Sequence, residues 1–196
     1  MSESDSKERL LAAAKALVLA KGFAGTTVDA ICEGAQLTKG SFYHFFKSKE
    51  ELGLATLEWS MMKSGEILDE GPHTEIADPV ERSFAFFEHV ENSAGQLWSG
   101  GCILASFSLE LAETNERMHR TVAGMFSEVM DYFATWFEPI VARWPELPSA
   151  KELANEDLSL LEGSIIFAKA FRDPSRISSA LRAFRRNLER LTTAPV

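Results

Sequence analysis

From Gln36 to Lys49 the only charged side chains are Lys39, Lys47 and Lys49, with His44 among them, and no acid interrupts the stretch. Thr38, Ser41 and Tyr43 add hydroxyls at neighbouring positions. Cations interleaved with short polar groups suit a polyanion: ammonium groups draw in phosphate, and hydroxyls or imidazole can meet base edges. Other groups with chemistry to offer are sparse. Cys32 and Cys102 lie far apart and read as two free thiols of a reducing compartment. His44, His73, His89 and His119 show no metal-ligand spacing with them, so no metal and no cofactor is expected. The chain has no phosphate-cradling glycine loop and no Gly-x-Ser-x-Gly elbow. Nucleic-acid binding is therefore the leading expectation. The rival is a small all-helical enzyme or partner-binding module built on the aromatic middle of the chain.

The bulk properties accommodate the first reading. The chain has 196 residues, 45 % hydrophobic and 25 % charged, with net charge −9. The distribution of that charge matters more than its sum, since most of the acidic excess lies after residue 60 and leaves a mildly basic head on an acidic body. No stretch is apolar enough to span a bilayer, and the polar start MSESDSKERLL has no signal-peptide core. A cytoplasmic protein without membrane attachment is expected.

Apolar residues recur at three and four positions throughout, so the fold class is all-α. The first helix is expected from near Asp5, with Glu8 at capping-box spacing, to Lys21-Gly22-Phe23, where Gly22 takes a left-handed cap. Thr26 and Thr27 open a second helix carrying Val28, Ile31, Cys32 and Ala35 inward. Thr38 caps a short third one through about His44, and Ser48-Lys49-Glu50-Glu51 starts a fourth that stops at Gly71-Pro72. Asp78-Pro79-Val80-Glu81 is a further start. Asn92 to Gly101 reads as a loop, followed by a helix from about Cys102 to Glu113 and a long one from Asn115 to Trp144 that Pro139 should kink or end. Two helices joined at Asp173-Pro174 close the chain. The expected division is a three-helix helix-turn-helix domain over 1–50 and a larger helical ligand-binding and dimerisation domain over 51–196.

A helix, a short break and a second short helix form a helix-turn-helix, whose second helix can enter the major groove. Val28, Ile31, Ala35, Leu37, Phe42 and Phe45 can build its small core. Thr38, Lys39, Ser41, Tyr43 and His44 remain for the outer face, Gly40 permits close approach, and Lys49 stands where helix N–H groups add to its pull on phosphate.

On these residues the chain resembles the TetR family of regulators. Thr27, Ile31, Ala35, Thr38, Gly40, Tyr43, Phe46, Lys49 and Leu52 stand at the places of that family's N-terminal pattern, with Gly22-Phe23 before them. Gln36 replaces the turn glycine, where a left-handed backbone would cost roughly 1 kcal/mol. The resemblance implies a repressor released from a palindrome-like duplex operator by a small-molecule effector. It places Thr27, Tyr43 and Lys49 on phosphates and Lys39, Ser41 and His44 near bases, with Thr26, Thr38 and Gly40 completing the DNA-binding set.

The resemblance also implies a homodimer. Leu158, Leu161, Ile165 and Ala168 on one closing helix, with Ile177, Leu181, Phe184 and Leu188 on the other, are the expected interface; the alternative is that these stripes close the core of one chain. Arg182, Arg185, Arg186 and Arg190 flank the last stripe, and Asp157 and Glu162 sit on its partner helix. Trp98, Cys102, Phe107, Phe126, Met130, Phe133, Phe137 and Phe167 are candidates for an effector pocket, favouring an apolar or aromatic ligand. Cys102 opens a helix, where the dipole favours the thiolate, and Gly101-Cys102-Ile103-Leu104 is similar to a TetR subgroup that includes electrophile-responsive repressors. Either sensing through this thiol or a buried, inert cysteine fits that segment.

Overall fold

A computed structural model describes residues 3–193. It holds nine α-helices and one 3₁₀ turn, and no strand among the described residues. Packing divides the chain into two compact units that are not consecutive in sequence. One comprises the residues up to Ser64 together with Cys102–Ala123; the other comprises Gly65–Gly101 and the residues from Gly124 onward. This differs from the division expected near residue 50, because a helix far along the sequence packs with the N-terminal ones.

The first unit contains α1 (Glu3–Lys21), α2 (Val28–Ala35), α3 (Lys39–Phe45), most of α4 (Lys49–Asp69), α6 (Ile103–Leu111) and the start of α7 (Glu116–Arg143). Its core gathers Leu10, Leu11 and Ala14 of α1, Ile31, Cys32 and Ala35 of α2, and Phe42, Phe46 and Leu52, with Val28, Leu37 and Phe45 packed against them. Burying Phe42 completely is worth about 2–3 kcal/mol, a large share for so short a helix as α3. Asp5 lies inside α1 and does not cap it, since the helix already includes Glu3. The cap of α2 is Thr27, whose hydroxyl oxygen accepts the N–H of Ala30, one residue later than the Thr26–Asp29 box expected.

The second unit contains the end of α4, a 3₁₀ turn over Pro72–Glu75, α5 (Pro79–Trp98), the rest of α7, α8 (Ala150–Phe171) and α9 (Ser175–Thr193). Asp78 caps α5 through the N–H groups of Val80 and Glu81, and Ser149 with Glu152 forms a full capping box on α8. The loop expected over Asn92–Gly101 is mostly helix: Glu91, Ala94 and Leu97 are buried and continue the stripe of α5, which overrides the weak propensities of Asn92 and Gly95. Nor does Pro139 end α7, which runs on to Arg143.

Helix α9 lies against both α5 and α8. Glu91 of α5, only 4 % exposed at its side chain, accepts Arg182 Nε at 2.6 Å and Arg185 at 3.1 Å, and Arg185 also reaches Glu189 at 2.7 Å. A buried carboxylate is thus paired twice, which offsets the cost of taking it out of water. These two arginines therefore answer α5 and not Asp157 of the neighbouring helix. Asp157 is itself buried, and that burial pushes its carboxyl up to about 7.

Candidate nucleic-acid interface

The turn between α2 and α3 keeps its sharp geometry without glycine. Gln36 adopts φ 54 and ψ 44, the left-handed region, and its N–H turns back to Cys32 and Glu33. The N–H of Leu37 also bonds Cys32 O at 2.8 Å, and Arg9 donates to Gln36 Oε1 at 3.3 Å. Closing the helix end and engaging the amide offset the roughly 1 kcal/mol that glutamine pays there. Thr38 then caps α3 by accepting the N–H of Ser41 at 3.1 Å. With Phe42 and Phe46 driven into the core, the opposite face of α3 points outward.

That face carries Thr38, Lys39, Gly40, Tyr43 and His44, all exposed, with Ser41 half-buried beside them. Tyr43 is 59 % exposed and rests its ring edge-on against Phe42 at 5.1 Å. A Cβ on Gly40 would meet only Thr38 Oγ1, at an ordinary 3.5 Å. Nothing in the chain requires glycine there. Lys39 Nζ lies 2.7 Å from Asp29, and this hydrogen bond raises the pKa of the ammonium. His44 Nε2 stands 2.7 Å from Glu3 Oε1. Both pairs are exposed, so phosphate can displace either acid at small cost.

Two residues of the expected DNA-binding set point elsewhere. Thr26 is 1 % exposed and donates its hydroxyl to Gly22 O at 2.7 Å. Lys49 Nζ donates to Phe23 O at 2.7 Å and Thr26 O at 2.9 Å, and stands 4.4 Å from the centre of the Phe23 ring. The carbonyl groups of the α1–α2 loop lack helical partners, and the ammonium satisfies them in place of an external phosphate. Thr27 remains exposed at the start of α2.

The residues expected at a dimer interface lie mostly inside the single chain. Leu161, Ile165, Ala168, Ile177, Leu181 and Leu188 are each at most 7 % exposed within the single chain, and Leu158 and Phe184 are half-buried. They close the core that α8 and α9 share with α5, the alternative stated above. The exposed apolar face of α8 is a different one: Leu160, Phe167 and Phe171, the last two with parallel rings 6.1 Å apart.

Nor do the aromatic pocket candidates converge. Phe107 is fully buried in the first unit, 5.0 Å from the Phe23 ring. In the second unit Phe137 packs on Phe87 at 4.4 Å and Phe133 on Phe86 at 5.8 Å. Trp98, Phe126 and Met130 are half-buried, and Phe167 is at the surface. Cys102 caps α6, its sulfur accepting the N–H of Ala105 at 3.5 Å. It lies close enough to Lys15 to oppose the lowering that burial imposes on that ammonium.

Sequence reading missed a cluster around His73. This buried ring lies 5.1 Å from Trp136, 5.3 Å from Phe86 and 5.4 Å from His89, while Phe86 and Trp136 stack at 4.0 Å. Burial lowers the pKa of His73 and keeps it neutral. Its one sequence signal is Gly71: a Cβ there would come within 2.7 Å of His73 Nδ1.

Comparison with known proteins bears on the whole arrangement. A sequence model described as "Bacterial regulatory proteins, tetR family" matches residues 10–56, and one described as "Tetracyclin repressor-like, C-terminal domain" matches residues 79–184. The chain belongs to the TetR family. Regulators of this family bind DNA operators and small-molecule effectors and form dimers. The chain is 32 % identical over 118 residues to the HTH-type transcriptional repressor NemR of Escherichia coli, a match covering 60 % of this chain and 59 % of NemR. It thus spans about six-tenths of the length of that relative. The crystal structure of NemR in its reduced form superposes with TM-score 0.73 at 26 % identity, over 93 % of this chain and 96 % of NemR. A TetR transcriptional regulator from Chloroflexus aurantiacus superposes with TM-score 0.80 at 26 % identity, over 95 % of this chain and 96 % of that one. No described helix of this TetR-family chain is long and apolar enough to cross a membrane.

Proposed function

We propose that this TetR-family chain is a cytoplasmic transcriptional repressor without enzymatic activity, which binds a palindrome-like duplex operator as a homodimer and is released by an apolar or aromatic small molecule. The observation that carries the reading is the outer face of α3. Lys39, Tyr43 and His44 stand exposed beside a glycine that nothing in the chain requires, on a helix pinned from behind by Phe42. Such a face supplies phosphate contacts and base-edge donors together. The relative NemR is named a repressor.

The homodimer is assigned to the exposed face of α8. Leu160, Gly163, Phe167 and Phe171 follow one another at helical spacing, beside a groove of about 590 Å³ whose far wall is Arg176, Ser179 and Ala180 of α9. A second copy covering this apolar strip would join two chains, each carrying its own α3. Trp98, Phe126 and Met130 are the aromatic-region candidates that retain surface for an effector.

Retention of the full-length protein on a double-stranded DNA column, run as a salt gradient, tests the proposal. A phosphate-binding regulator elutes with steep salt dependence, whereas failure to bind at low salt favours the enzyme or partner-binding rival.

A further inference from the structure

The loop between α1 and α2 is held by two opposite charges. Gly22, at φ +79, turns the chain so that the N–H groups of Phe23 and Ala24 both donate to the carboxylate of Glu110, one to each oxygen. The Phe23 bond is 2.5 Å long. From the other side Lys49 Nζ takes the carbonyl oxygens of Phe23 and Thr26. The fit is tight: a Cβ on Gly22 would stand 2.8 Å from Glu110 Oε2. A Cβ on Gly53 would stand 2.8 Å from the Phe23 ring, which packs on Phe107 of α6 at 5.0 Å.

The C-terminal end of a helix repels a carboxylate, so its presence beyond α1 needs a cause. Successive N–H groups turned to one side form an anion nest and supply it. Glu110 lies 87 positions after Phe23 and outside the helix-turn-helix, yet it fixes the backbone from which Thr27 opens α2. Resting on the DNA-binding reading above, we infer that Glu110 is a positioning residue for DNA recognition: its bidentate grip on Phe23 and Ala24 sets the seat of α2, and through it the angle of α3.

Glu110→Gln in the full-length protein is the test. The amide keeps one acceptor but turns a donor toward the second N–H. The probes are a duplex enriched from a random-sequence library by the wild-type protein and a scrambled duplex of equal length. E110Q should bind the enriched duplex at least tenfold more weakly and the scrambled duplex equally well, and amide exchange at Phe23 and Ala24 should quicken at least tenfold. Destabilisation alone would weaken both duplexes alike and leave their ratio intact, so an unchanged ratio overturns the inference. If the wild type enriches no duplex, the DNA-binding reading itself falls and takes this role with it. Glu110→Asp keeps the charge but shortens the reach; if E110Q does not fold, E110D is held to the same ratio and exchange criteria.

Discussion

The ammonium of Lys49 lies 2.7 Å from the carbonyl oxygen of Phe23, twenty-six residues earlier in the chain. A lysine that by resemblance belongs on phosphate is spent on holding the α1–α2 loop. The two roles separate experimentally. Lys49→Met should lower stability by about 1–3 kcal/mol, because carbonyl groups lose a charged donor. It should leave the slope of log affinity against log salt unchanged. A slope smaller by about 1, with stability intact, would return Lys49 to the phosphate backbone.

Lys39 and Asp29 make a second such pair, at 2.7 Å on the exposed surface. On DNA the phosphate or base edge must displace Asp29. Asp29→Asn should therefore strengthen duplex binding several-fold, most at low salt, since it removes both the competitor and a negative charge facing DNA. Titrations at two salt concentrations check this; equal or weaker binding by D29N at low salt would show that Lys39 does not engage the duplex.

The outer face of α3 is legible in the sequence because its determinants are local. Thr38 and Phe42 stand at cap and core spacing within five residues, and the exposed positions follow by subtraction, although Phe46 takes the buried place expected of Phe45, which is only half-buried. The exposed strip of α8 is not, because that helix has apolar residues on two faces. Leu161, Ile165 and Ala168 read the same as Leu160, Phe167 and Phe171 until the packing of α9 against α8 buries the first set. Asn92 and Gly95 looked like breakers because the burial of Ala94 and Leu97 is a tertiary fact. The grips of Lys49 and Glu110 on the α1–α2 loop depend on contacts across dozens of residues, for which a single sequence carries no signal.

Phe167→Glu follows from the exposed strip on α8. The substitution places a charge among apolar groups expected to meet a second copy, while 57 % exposure at this position spares the core of the single chain. Sedimentation should show a monomer with unchanged helicity. A dimer persisting at micromolar concentration would move the interface away from this face.

Burial raises the Asp157 carboxyl from its ordinary 3.8 to about 7. Between those values the folded state holds a proton that the unfolded chain has released, so the contribution of Asp157 to stability is greatest below about pH 4, declines as pH rises to about 7 and is flat above. Asp157→Asn removes that decline: it should stabilise by on the order of a few kcal/mol at pH 8 and by almost nothing at pH 4. Urea unfolding at both values checks the difference, and an equal effect of D157N at both would contradict the buried, uncharged carboxyl.

Recognition by the outer face of α3 is the central claim, and Lys39 tests it most directly. Binding of wild type and Lys39→Ala to an enriched duplex, and to its single-base variants, should show K39A weaker by about 1–3 kcal/mol and indifferent at one base pair that the wild type discriminates. Unchanged affinity together with unchanged preference at every position would contradict the account.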